Sequence, residues 1–492
     1  MRVKHFRRFV TLALVIAVPS AVSGCREQPQ GSVKVTVIGG PPKLRDPAAG
    51  PLPAGDALLL SNVAQGLVRF DAAGNIVGGL AERWNVSNDG LSYIFRLAPG
   101  DWPNGGKITA KQVARLLKRQ LTGRSRNPMR DALGAVEDVV AMTDRVIEIR
   151  LVAPRPNLLP LLAQPEMAVL REGHGTGPFS ESPTAQRGLL LLKREIVSPE
   201  DESKTEEDVL VGGATAGAAV QAFAAGQTDL VLGGTFADLP IARRVKLPRG
   251  SLRFDPASGL FGLVPTRKDG PLAEPDVRRL LSQAIDRDLL VRTLNVPGLT
   301  PRATIMEPGL EGVPAIAQPV WATTALSERS ASLAAEARRL FGAEEKPVLR
   351  IGLPQGPGAD VLLLRLMLDW GALGFTIQRA NSPGQADLVL VDDVAPSSSP
   401  AWYVRRFRCE IAPICDPEAD ELMASARAAP VPAQRAALLV QAAARLDDAL
   451  AFIPLAAPVR WSLVGSRIEG FAGNRYARHT LTGLEQKTSP GG

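Results

Sequence analysis

The sequence predicts an α/β protein of two lobes with a further domain inserted. Three observations point to it. The chain has 492 residues, too many for one compact core and enough for two or three domains. Its hydrophobic content of 45% and charged content of 22% are those of ordinary globular chains, so most of it can fold around sizeable cores. Helical and strand patterns alternate through both halves, as expected where helices cover a sheet.

The first residues stand apart from this pattern. "MRVKHFRRFV" is basic, "FVTLALVIAVPSAV" is apolar, and small residues precede Cys25 in "VSGC". That order predicts a secretory signal over residues 1–24, because the apolar run is too short for a comfortable membrane span. Cysteine directly after small residues resembles a bacterial lipobox. Cys25 is therefore the expected lipidation site, the alternative being a plain secretory signal with an incidental cysteine. Residues 25–31 then read as the lipidated cysteine and a polar tether. Four of the 57 basic residues (Arg2, Lys4, Arg7, Arg8) lie in the signal, which leaves 53 against 50 acidic residues, a net +3. No block of clustered Lys/Arg survives in the mature chain, so nucleic acid is not an expected partner.

Along the mature chain, "SVKVTVIGG" alternates Val33, Val35 and Val37 and reads as a strand. "PPKLRDPAAGPLPAGD" is a Pro/Gly-rich loop, and residues 57–68 return to helical spacing. Short strands follow, with "IVGGLAERWNV" taken as one of them. "AERWNVSNDGLSYIFRL" is a hairpin turning at Asp89-Gly90, where glycine supplies the positive φ of a tight turn. Leu91, Tyr93, Phe95 and Leu97 fall on one face. Thr109 opens a helix with Gln112 completing a capping box, and Val113, Leu116, Leu117 and Leu121 form its apolar stripe. "RVIEIRLVAP" is a strand and "GTGPF" (175–179) a tight turn. A helix ending at Gly226 leads into the strand "TDLVLGG". Pro275 opens a core helix carrying Val277, Leu280, Leu281, Ala284 and Ile285. Then come the strand "KPVLRIGLP", the helix "ADVLLLRLMLDWGALG", the strand "ADLVLVDD", the helix "QRAALLVQAAARLDDALA", the segment "FIPLAAPVRWSLV" and a polar tail.

The block from Gln65 to Val113 resembles the signature of the family 5 extracellular solute-binding proteins, the peptide- and nickel-type receptors of ABC importers. Its matching residues are Gly66-Leu67, Gly74, Leu80-Ala81, Trp84, Asp89-Gly90, Tyr93, Phe95, Leu97, Trp102, Gly105 or Gly106, Thr109-Ala110 and Val113. Gln112 stands where the family usually has Asp or Glu. "GTGPF", "AFAAGQTDLV", "DVRRLLSQAIDRDLLV" and "FIPLA" resemble further family segments in the same order. The resemblance implies a two-lobed periplasmic-binding-protein fold of type II, in the large class with an extra inserted domain. Ligand then lies in the cleft between lobes, and hinge closure hands it to a permease. The expected division is lobe 1 from residues 32–60, 170–258 and 459–492, the inserted domain from 61–169, and lobe 2 from 259–458. Crossover strands are expected near 250–265 and 453–462. The implied partners are a peptide or other small solute, the ABC permease and ATPase subunits, and a membrane reached through the lipid. No cofactor or metal is expected, and the chain is expected to act as a monomer.

Peptide-binding relatives pair a second-lobe Asp with the α-amino group of the peptide, within an aromatic-rich region. The corresponding stretch here is "ADLVLVDDVAPSSSPAWYVRRF". Asp392 or Asp393 can supply the carboxylate and Trp402 or Tyr403 an aromatic wall, although the aromatics follow the Asp instead of preceding it. Arg405, with Arg406 and Arg408, can bind a carboxylate through charge-assisted bonds, or form a solvated basic face. Cys409 and Cys415, six apart, are a reasonable disulfide in an oxidising compartment. The alternative, a two-cysteine metal site, finds no His or third Cys nearby. Trp84, Tyr93, Phe95 and Trp102 read as core, and Asp286-Arg287 as an ion pair or cap. An enzyme would need chemistry that is missing: outside the signal only His174 and His479 occur, and no phosphate loop or Gly-x-Ser-x-Gly appears. The sequence thus predicts the substrate-binding subunit of an importer. The alternative is a degenerate receptor that senses or scaffolds at the envelope, and a periplasmic hydrolase would need a Ser/His/carboxylate site in the cleft.

Overall fold

The computed structural model describes residues 32–198, 201–342 and 347–486. The expected signal, Cys25 with its tether, and the end of the polar tail lie outside them. Two sheets organise the molecule. The first has seven strands in the order Leu252–Phe254, Arg460–Val464, Leu230–Thr235, Val33–Ile38, Lys204–Ala214, Leu189–Val197 and Ser180–Ser182. Val33–Ile38 lies at its centre, parallel to both neighbours, with Val33, Val35 and Val37 buried. The second has five strands in the order Thr376–Arg379, Val348–Gly352, Leu388–Val394, Gly259–Pro265 and Ile453–Ala456.

The chain passes between the sheets twice, from Leu252–Phe254 to Gly259–Pro265 and from Ile453–Ala456 back to Arg460–Val464. The two passages touch, since Asp255 N donates to Arg460 O (3.0 Å). Two short adjacent links between packed bodies are the geometry of a hinge. They run through one apolar core, which holds Trp461 and Phe236 of the first lobe beside Phe261 and Leu349 of the second. Trp370, also fully buried there, donates from Nε1 to Leu281 O (2.9 Å).

A separate four-stranded antiparallel sheet, Ala81–Val86, Ser92–Leu97, Val146–Leu151 and Val136–Thr143, forms the inserted domain with helix Ala110–Leu121. The hairpin turns at Gly90 with φ +68°, and Tyr93, Phe95 and Leu97 are buried. Thr109 and Gln112 make the capping box. The Gln112 side-chain oxygen accepts from both the Thr109 amide (3.2 Å) and the Trp102 indole (3.1 Å). These signature residues therefore hold one another, and glutamine does so without a carboxylate.

Several elements differ from the sequence reading. "IVGGLAERWNV" is broken into Ile76–Gly78 and Ala81–Val86, because Gly79 lies so close to Gly66 O that a Cβ would stand 2.5 Å from it. The first helix is Ala54–Val63 and stops before Gly66, where a Cβ would meet Leu162 O at 2.8 Å. The antiparallel ribbon Leu189–Val197/Lys204–Ala214 and the helix Leu326–Phe341 went unread: "LLLLKREIV" mixes apolar and charged residues without alternation, and the helix buries only Leu333 and Ala337.

The "AIDR" and "FIPLA" segments meet in space. Asp286 caps helix Arg287–Leu294 by accepting from Leu289 N (2.8 Å). Buried Arg287 donates to Pro454 O (2.7 Å) and Ser282 O (2.7 Å). Its role is to satisfy two buried carbonyls, tying the helices of the second lobe to a strand that leads into the hinge.

Candidate functional site

The inserted domain and the second lobe enclose a cavity of about 370 Å³, inside the roughly 300–1,000 Å³ range of small-ligand sites. On one side stand the turn from Asp131 to Ala135 and the segment Val152–Asn157. On the other stand helices Pro400–Val404, Pro417–Ala428 and Pro432–Ala449, with Glu311 and Gly312. Its apolar lining is aliphatic, including Ala132, Val404, Met423 and Leu439, and no aromatic ring among the described residues belongs to it.

Side chains cross between its walls. Asp131 of the inserted domain pairs with Arg405 Nε (3.1 Å) and Arg408 Nη2 (3.4 Å) of the second lobe. Arg435 Nη1 donates to Pro154 O (2.9 Å) while its Nη2 holds Ala429 O (2.8 Å). Elsewhere Gln164 Nε2 donates to Pro396 O (2.9 Å). The Gln164 side-chain oxygen accepts from Arg478 Nε (3.2 Å), whose Nη2 binds Glu166 (2.8 Å). The contacts of Asp131, Arg435 and Gln164 join the inserted domain to the second lobe, and those of Arg478 tie the same domain to the first.

The electrostatics are one-sided. Arg155, Arg405, Arg408, Arg427 and Arg435 face Asp131 and Glu311, a surplus of three positive charges. Burial first, then the charges of Arg435 and Arg427, hold the Arg155 guanidinium down to about 10. Burial also lowers Arg405, against the pull of Asp131, and Arg435, against that of Glu311.

Of the site residues expected from sequence, Arg405 and its neighbour Arg408 line this cavity. Asp392 is engaged within the protein: Arg460 donates from Nη1 to its Oδ1 (2.8 Å) and from Nη2 to its carbonyl (2.8 Å). Burial raises the Asp392 carboxyl and Arg460 opposes the rise. Asp393 pairs with Arg406 (2.6 Å). Trp402 is half-buried and packs edge-to-face on Tyr403, ring centroids 5.0 Å apart. Tyr403 is fully buried, and its hydroxyl donates to Glu307, so its ring presents no surface in the cleft. Cys409 and Cys415 join in a disulfide, Cα–Cα 5.1 Å. Arg155, Arg427, Arg435 and Glu311 were missed, and no local motif marks them; residues 155 and 435 meet only through the tertiary fold.

Helix Pro432–Ala449 carries one further perturbed carboxyl. Asp447 accepts from Ile305 N (2.9 Å), but burial outweighs that bond and pushes the carboxyl up to about 8 from its ordinary 3.8. The folded state therefore holds this proton more tightly than the unfolded chain. Stability from the protonated group is full below about pH 4 and is lost as pH rises through about 8. Asp447→Asn keeps the acceptor and removes the ionisation. Urea unfolding at pH 5 and pH 9 should show the wild type losing stability relative to the variant at the higher pH; parallel behaviour would contradict the assignment.

A family model for bacterial extracellular solute-binding proteins, family 5, middle region, matches residues 75–344, more than half of the chain. The chain belongs to that family. Members of family 5 are substrate-binding proteins and not enzymes, and the chain shares that substrate-binding role. Among curated relatives, the probable di/tripeptide-binding protein 5 of Pseudomonas aeruginosa (strain UCBPP-PA14) is 24% identical over 487 residues, covering 86% of this chain and 89% of the relative. Among solved structures, Haemophilus influenzae OppA in complex with RPPGFSPFR matches with a TM-score of 0.80 at 17% identity, over 93% of this chain and 100% of the other. The Escherichia coli murein tripeptide binding protein MppA matches at 0.79 and 17%, over 93% and 99%. These likenesses place the two-lobed family 5 fold on this chain. No described helix is long and apolar enough to cross a membrane, and no group of three or more metal-ligating side chains occurs among the described residues.

Proposed function

We propose that this family 5 protein is the substrate-binding subunit of an ABC importer, lipid-anchored at Cys25 outside the cytoplasm. It captures a peptide or peptide-like solute between its lobes and delivers it, as a monomer, to a membrane permease and its ATPase. The observation that carries this reading is the 370 Å³ cavity between inserted domain and second lobe, spanned by contacts that form only when those bodies approach. The relatives named for peptides support the solute class. Thermal unfolding against a library of di- to pentapeptides tests it. The reading expects a saturable rise in Tm with a subset of peptides, and no rise with any member would sink the peptide class.

A second reading, an envelope sensor or scaffold without transport, draws on one observation: Asp392 and Asp393 are both engaged by the protein's own arginines. Permease and ATPase genes beside this one would support import, and their absence the alternative.

A further inference from the structure

We propose that the solute in the arginine-lined cavity is an anion, bound through a carboxylate that bridges Arg155 of the inserted domain and Arg435 of the second lobe. The proposal rests on the reading that this cavity is where solute is captured, and it adds the charge class.

The two guanidinium groups meet at one atom. Arg155 Nη1 and Arg435 Nη1 each donate to Pro154 O at 2.9 Å, which sets them side by side across the seam between the two bodies. Neither makes an ion pair with any described carboxylate. Asp131 is shared by Arg405 and Arg408, and Glu311, the other acid in the wall, forms no ion pair either. Like charges held this close in a partly desolvated wall repel; burial first, and then the charge of Arg435, depresses the Arg155 guanidinium. A carboxylate accepts from two guanidinium groups at once through charge-assisted bonds, so it would neutralise the repulsion and link the two bodies in one step. Bound anion and closed lobes then stabilise each other, because the pair forms only when the bodies meet.

The opposite charge class is poorly served. Asp392 is paired with Arg460 and Asp393 with Arg406, and Asp131 already serves two arginines, which leaves a cationic solute only Glu311. A neutral solute leaves the three-charge surplus unmet. The aliphatic walls suit a small acid with an apolar stem.

Calorimetric titration of the whole mature protein with Glu-Glu, Ala-Ala, Lys-Lys and glutarate tests this. The acidic probes should bind, and Arg155→Gln and Arg435→Gln should each weaken them by roughly 10–100-fold, the loss of one charge-assisted contact. Without ligand, Arg155→Gln should unfold at the same or a higher temperature, because the like-charge repulsion is relieved while Pro154 O keeps its bond from Arg435, which a merely structural arginine would not show; Arg435→Gln also gives up Ala429 O and should unfold lower. Arg427→Gln, on an exposed position of helix Pro417–Ala428, gives a second variant little able to disturb folding, with a smaller loss in the same direction. Equal or tighter binding of Ala-Ala or Lys-Lys, or unchanged Glu-Glu binding in the Arg155→Gln/Arg435→Gln double variant, would overturn the charge assignment and leave solute capture standing. No binding of any of the four would count against both.

Discussion

Trp461→Ala is expected to lower the unfolding free energy by about 3–5 kcal/mol. The indole is 1% exposed and lies on the strand Arg460–Val464 just after the second passage between lobes. Its ring fills the space left by Gly234, where a Cβ would stand 2.2 Å from the indole carbons. Its Nε1 donates to Thr235 O (2.8 Å). Truncation opens a cavity in a core shared by both lobes and removes the shorter of two bonds to that carbonyl, which keeps the Asp238 amide (3.2 Å), and both terms act in the same direction. Trp461→Phe keeps most of the volume and should cost less than half as much. Urea unfolding followed by intrinsic fluorescence or circular dichroism measures both. A Trp461→Ala cost under about 1 kcal/mol would mean that the hinge core collapses around the gap, contrary to its close packing.

Gly177→Ala is expected to cost about 3 kcal/mol, the upper end for overpacking. In "GTGPF" the turn is pressed onto the end of helix Ala54–Val63. Gly177 N donates to Val63 O (3.0 Å) and Phe179 N to Asn62 O (3.0 Å). A Cβ at Gly177 would meet Asn62 O at 2.4 Å and Ala64 N at 2.5 Å, and backbone atoms cannot swing aside as a side-chain tip can. Asn62 is itself fixed, accepting from Leu481 N (2.9 Å) and donating to Leu58 O (2.8 Å). The strain would thus spread into the C-terminal segment. Gly173→Ala is the matched control: φ there is +81° with nothing within 4 Å, so only the left-handed backbone is penalised, about 1 kcal/mol. Equal losses for the two would contradict the close-approach account of the motif.

The fold was largely legible because its elements carry local signals. Gly90, Thr109 with Gln112, Pro275 and the valines of Val33–Ile38 each act within a few residues, and the structure uses them as the sequence suggests. Breaks at Gly66 and Gly79 were not legible, since what stops those elements is a backbone brought in by tertiary packing. The site was harder to read. Arg405 was found beside a recognisable segment, whereas Arg155 and Arg435 are separated by the end of the inserted domain and most of both lobes. Their meeting at Pro154 O depends on how those bodies dock, which no spacing in the chain encodes. Asp392 shows the converse: its position along the strand suggested a ligand carboxylate, but Arg460, on a strand 68 residues later, holds it.

Native mass spectrometry of the protein purified from its own host tests the central claim most directly, that the cleft holds a small solute. The account predicts one small molecule per folded chain, released on denaturation and restored by incubation with a small-molecule extract of that host. A folded chain that carries nothing and takes up nothing from the extract would contradict it.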